Sequence, residues 1–91
     1  MEITFDPAKC ATNIKERGLS FELVADFDFS TALVLEDLRH AYPERRFQAL
    51  GFLGYRLHML IFSPIDGGIR VISLRKANKR EVKHYEQAAQ S

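Results

Sequence analysis

Three β-rich runs follow one another along the second half of the chain, and only short glycine-bearing turns separate them. Residues 45–52 and 55–62 flank Gly54, and Asp66-Gly67-Gly68 precedes residues 69–74. Connections this short join antiparallel neighbours, because a parallel crossover needs about a dozen residues or more. The spacing therefore predicts an antiparallel meander. The remainder of the chain must pack on its faces or edges.

Local signals place the other elements. Ile3-Thr4-Phe5 reads as a short first strand, ended by Asp6-Pro7, where Asp6 can cap a helix and Pro7 fits its first turn. That helix is expected to run to about Arg17, with Gly18 supplying the left-handed residue after it. Ser20 can cap a second short helix to about Asp26, with Phe21, Leu23, Val24 and Phe27 as its apolar side, and the two helices are expected to pack as a pair. Leu33-Val34-Leu35 suggests a strand, followed by a polar loop over residues 36–44 that contains Pro43. Asn78 can cap a last helix, in which Val82, Tyr85 and Ala89 share a face. The fold class is α+β.

At 91 residues the chain suits one compact domain spanning 1–91. A content of 46% hydrophobic residues, with seven Phe, can build a core without disulfides or a structural metal. The single cysteine, Cys10, has no internal partner. No apolar run approaches the roughly 20 residues of a membrane span, and Met1-Glu2-Ile3 does not open a signal peptide. A cytoplasmic protein with no membrane contact and no cofactor is expected.

The net charge of +1 conceals a division. Residues 1–44 hold 4 Lys/Arg against 9 Asp/Glu, about −5, while residues 45–91 hold 9 against 3, about +6. A basic half suits a polyanion, although a mixed solvated surface gives the same count. On the first helix Lys9, Asn13 and Arg17 fall one turn apart, with Lys15 on the flank; that face can meet phosphate or water. In the last strand, alternation sets Ile69, Val71, Ser73 and Arg75 on one face and Arg70, Ile72 and Leu74 on the other. An arginine in so apolar a pattern needs a carboxylate, a carbonyl or a ligand, and Glu44 is a candidate partner. Arg75, at the open end, points to ligand contact. Lys76, Asn78, Lys79, Arg80 and Lys83 then crowd a helix N-terminus whose amides already favour anions, with His84 and Tyr85 one turn further on. His40, His58 and His84 lack metal-ligand spacing, and no serine sits in a nucleophile elbow.

Several of these pieces stand in a familiar order: Phe5-Asp6-Pro7-x-Lys9, Asn13-x-Lys15-x-x-Gly18-x-x-Phe21, Glu44-Arg45-Arg46, Gly51, and Ile69-Arg70-Val71-Ile72-Ser73-x-Arg75-Lys76-Ala77-x-x-x-Glu81. The chain resembles the BrnT-type toxins. The resemblance implies a bacterial, RelE-like ribonuclease that arrests translation. It also implies a BrnA-type ribbon-helix-helix antitoxin as partner, with operator DNA bound only through the toxin–antitoxin complex. Two departures stand out: the family usually has Lys-His-Gly where this chain has Glu16-Arg17-Gly18, and commonly Tyr-Thr where it has Phe62-Ser63. Guanidinium stays protonated, so Arg17 cannot take over a histidine's work as a base.

Metal-free RNA cleavage would use the ribose 2′-hydroxyl as nucleophile. On this reading Arg75 and Arg80 stabilise transition-state charge, and Tyr85 or Glu44 transfers protons, Glu44 being the weaker candidate if it pairs with Arg70. Lys9, Asn13, Lys15, Arg17, Arg45, Arg70, Ser73, Lys76 and Lys79 place the RNA. Two other classes compete. One is a non-catalytic RNA-binding or antitoxin-binding module of the same fold. The other is a protein-interaction module whose sheet edge or apolar groove takes a partner segment.

Overall fold

The computed structural model describes residues 1–90. Its elements are β1 (Glu2–Thr4), α1 (Pro7–Arg17), a short 3-10 helix (Phe21–Asp26), β2 (Leu33–Glu36), β3 (Phe47–Leu53), β4 (Arg56–Ile65), β5 (Gly68–Lys76) and α2 (Lys79–Ala89). The five strands form one sheet in the order β1-β5-β4-β3-β2. From β2 to β5 every neighbour is antiparallel, which is the expected meander. β1 joins at the far edge, parallel to β5.

The local signals act as their chemistry requires. The Asp6 carboxylate accepts from Ala8 N, Gly18 takes φ 70° after α1, and Ser20 caps the 3-10 helix. Asn78 and Glu81 form a reciprocal capping box at the start of α2. Gly54 and Gly67 take positive φ at the two hairpin turns.

One face of the sheet carries α1 and the 3-10 helix. Phe21, Val24, Leu60, Val71 and Leu74 are almost fully buried there. The two helices meet at Cys10, whose Sγ lies 3.4 Å from Phe21 N, and otherwise each packs on the sheet. Gly51 is a required glycine in this layer, since a Cβ would come within 2.8 Å of the Phe27 ring. The other face is covered unevenly: α2 lays Val82 and Tyr85 over Leu50, Leu57 and Met59 at one end, and the loop of residues 37–46 stands at the other.

Three sequence expectations need correction. The run expected as a strand over 45–52 begins only at Phe47, because Arg45 and Arg46 turn away to ion pairs with Glu36 and Glu44. β4 extends three residues past Phe62 and pairs with β5 as far as Ile65, opposite Gly68. Most important, the simple alternation in β5 fails: Phe62 pairs with Val71 but Ile61 pairs with Ser73, leaving Ile72 as a bulged extra residue. After the bulge the faces exchange. Ile69, Val71 and Leu74 enter the core, while Arg70, Ser73 and Arg75 all stay out of it.

Candidate functional site

β1 ends opposite Arg70, so β5 loses its neighbour on that side just where the bulge occurs. Asn13 of α1 closes the gap. Its Nδ2 donates to Leu74 O at 2.9 Å and to Leu19 O at 2.8 Å, and the residue is buried. Both amide hydrogens are thereby used within the protein, and Asn13 acts as an anchor between α1 and β5.

Three hollows meet at Ile72. The first, about 340 Å³, lies between α1 and β5 and is lined by Lys9, Arg17 and Ser73. The second, about 460 Å³, is bordered by Lys9, Glu44 and Arg70. The third, about 260 Å³, is a polar basin on the uneven face, with Arg39, Tyr42, Arg46, Ser73 and Arg75 around it. A single bulged residue thus separates and joins three cationic concavities.

Each basin arginine is held by a carboxylate. Arg75 forks onto Glu81 with two hydrogen bonds of 2.8 Å, and Glu81 Oε1 also accepts from Asn78 N at 3.0 Å. One glutamate therefore caps α2 and aims Arg75. The Arg75 guanidinium holds the Glu81 carboxyl below its ordinary value, and the carboxylate raises Arg75 in turn. Across the basin Asp37 is buried and receives the Arg39 Nε and NH2 groups, both at 2.8 Å, and the Tyr42 hydroxyl at 3.2 Å. Those hydrogen bonds hold its carboxyl far below the usual carboxylate range. Arg46 lies 4.2 Å from the Tyr42 ring centroid, and its Nε is buried without a hydrogen-bond partner. Glu44 reaches Arg70 at 3.4 Å and Arg46 at 3.7 Å.

The other expected site residues are distributed around this centre. Arg80 and His84 border a fourth hollow beside Leu35 and Met59. Tyr85 faces the sheet, edge-on to Phe52, and its hydroxyl donates to Thr31 O at 2.8 Å. Its proton is committed to holding α2. Arg45 pairs with Glu36 and lies over Phe47, away from the hollows. Lys15 and Lys76 line none of the hollows described, and Lys79 borders a groove on the flank of α2.

Sequence reading did not single out Asp37, Arg39 or Tyr42, and it used Arg46 only as part of a motif. Their signal was a loop dense in arginines around an aromatic and a proline. Among the described residues no group of three or more His, Cys, Asp or Glu could hold a metal ion.

Comparison with known proteins decides the family. A family model described as "Ribonuclease toxin, BrnT, of type II toxin-antitoxin system" matches residues 5–81. The chain belongs to the BrnT toxin family. A solved BrnT, the Brucella abortus ribonuclease toxin determined by crystallography at 1.1 Å resolution, is 32% identical to it, with a TM-score of 0.66. That match covers 87% of this chain and 99% of the Brucella BrnT. No curated protein matches the chain. Membership in a BrnT family of type II systems brings with it an RNA substrate and an antitoxin partner.

Proposed function

We propose that this BrnT-family chain is a metal-independent, RelE-like endoribonuclease that inhibits translation in the cytoplasm. A BrnA-type ribbon-helix-helix antitoxin neutralises it, and operator DNA is met only through that complex. The observation that carries the catalytic reading is the convergence of Arg39, Arg46 and Arg75 on one basin, continuous through Ile72 with Lys9, Arg17 and Arg70. Planar guanidinium donors match phosphate oxygens, and a partly enclosed basin strengthens their effect on developing charge.

In the proposed reaction the ribose 2′-oxygen bonds to the adjacent phosphorus while the bond from phosphorus to the 5′-oxygen breaks. The 2′-proton leaves to a base and a second proton reaches the departing 5′-oxygen. The products are a 2′,3′-cyclic phosphate and a 5′-hydroxyl. Arg75, with Arg39 and Arg46, faces the phosphorane charge, and Arg80 acts from the neighbouring hollow. Lys9, Arg17, Arg70 and Ser73 hold the RNA backbone, with Lys15, Lys76 and Lys79 adding longer-range attraction. Glu44 is the proton-transfer candidate, ahead of Tyr85, whose hydroxyl already serves Thr31.

One observation favours a second reading, RNA binding without cleavage: Asp37, Glu44 and Glu81 are all tied to arginines. Mapping the 3′ ends of RNA incubated with the purified protein, with and without ribosomes, tests both. Cyclic phosphate ends support the first, and an Arg75→Ala protein is expected to lose about 100-fold in rate. A folded Arg75→Ala protein with full activity overturns the assignment; tight RNA binding without new ends supports the second reading.

A further inference from the structure

On the flank of α2 away from Arg80 and His84, a groove of about 1070 Å³ runs between the helix and the β3–β4 hairpin. Its floor is apolar: Phe52, Leu57, Ala77 and Val82, with Ala89 at the end of the helix wall. α2 buries none of its own side chains fully, and residues from Lys79 to Ala89 line the groove, a helix of 11 residues and about 16 Å at 1.5 Å per residue. Isolated exposed apolar residues are ordinary, whereas an open apolar channel with a charged rim marks an interaction surface.

The rim is selective. Arg56, Lys79 and Lys83 border the groove against one acid, Glu86. Tyr55 stands wholly exposed beside Arg56 at the hairpin tip. Tyrosine and arginine at the edge of an apolar depression are the residue types that dominate protein-interface energetics. Duplex RNA offers no apolar ridge to fill such a floor. An amphipathic helix with acidic flanks offers both.

We propose that this groove docks an acidic amphipathic helix supplied by the antitoxin, laid alongside α2 with its apolar face on Phe52, Leu57 and Val82. The proposal rests on the toxin–antitoxin reading, and it makes the neutralising partner's foothold distinct from the arginine basin, from which α2 separates it.

The test uses the full chain, the antitoxin of its own system, and a Tyr55→Ala/Arg56→Glu double variant. Both side chains are exposed, so the fold is not at stake. Calorimetric titration is expected to show at least tenfold weaker antitoxin binding by the variant. Its RNA cleavage in the absence of antitoxin is expected to stay within twofold of the parent. Equal antitoxin affinity in parent and variant overturns the groove while leaving the antitoxin reading intact. Failure of the parent to bind the antitoxin at all removes both. A variant that keeps antitoxin affinity but loses RNA cleavage reassigns the groove to RNA and also overturns the proposal.

Discussion

Glu81 performs two jobs with one carboxylate, and substitutions can separate them. Glutamine preserves the cap on Asn78 N while abolishing the charged fork to Arg75. Glu81→Gln is therefore expected to unfold slightly below the parental temperature at neutral pH yet cleave RNA about tenfold more slowly, because Arg75 is no longer preorganised. Glu81→Ala should show the same catalytic loss and an added destabilisation of about 1 kcal/mol. Thermal unfolding and cleavage rates on the pair of variants provide the check. Asp37 is different in kind, being buried under Arg39 and Tyr42. Asp37→Asn strands part of that network and is expected to cost roughly 1–3 kcal/mol by denaturant titration.

At the scale of elements, the strand β1 depends on a residue without a side chain. Gly68 lies in register with Glu2, and a Cβ there would strike the Glu2 carbonyl. Gly68→Ala should detach β1, seen as fast amide exchange at Glu2 and Thr4 while β3 and β4 stay protected. The caps and turns were legible in sequence because Asp6, Gly18, Ser20, Gly54 and Asn78 act on backbone within a few residues. The bulge was not. Whether Ile72 is paired or spare depends on β4 residues ten and eleven positions upstream, and only the pairing of Phe62 with Val71 and of Ile61 with Ser73 reveals it. The same limit governed the candidate site. The cations of α2 stand together in the chain and were readable, whereas Arg39 and Arg75 meet only after the sheet forms.

Across the whole molecule the acidic first half and basic second half interleave rather than segregate, since Asp37 and Glu44 of the first flank the basin arginines. Asp37 and Glu81 both titrate below their ordinary values of 3.8 and 4.5. Their contribution to stability is therefore complete above about pH 4.5 and is withdrawn as the pH falls through the depressed folded-state values. The melting temperature is expected to drop between pH 5 and pH 3, and an Asp37→Asn/Glu81→Gln protein should start lower and fall less. RNA affinity should weaken roughly 10- to 100-fold between 50 and 200 mM salt if about three to five phosphates are contacted, with Lys9→Ala lowering the log–log slope by about 0.7.

The bulge at Ile72 gives β5 an unequal tolerance for loss of length. Removing one residue away from the bulge turns the side chains on one side of the cut to the opposite face, driving polar residues into the core or apolar ones into water. Removing Ile72 does neither, because Val71 then leads into Ser73 with regular alternation and Leu74 still faces inward. A scan of single-codon deletions along β5 should therefore recover soluble protein at Ile72 and at its neighbours Val71 and Ser73, whose places Ile72 can take, and not further along the strand. The protein without Ile72 would lack the wall the three hollows share, making it a folded toxin gene product disarmed by a three-nucleotide lesion.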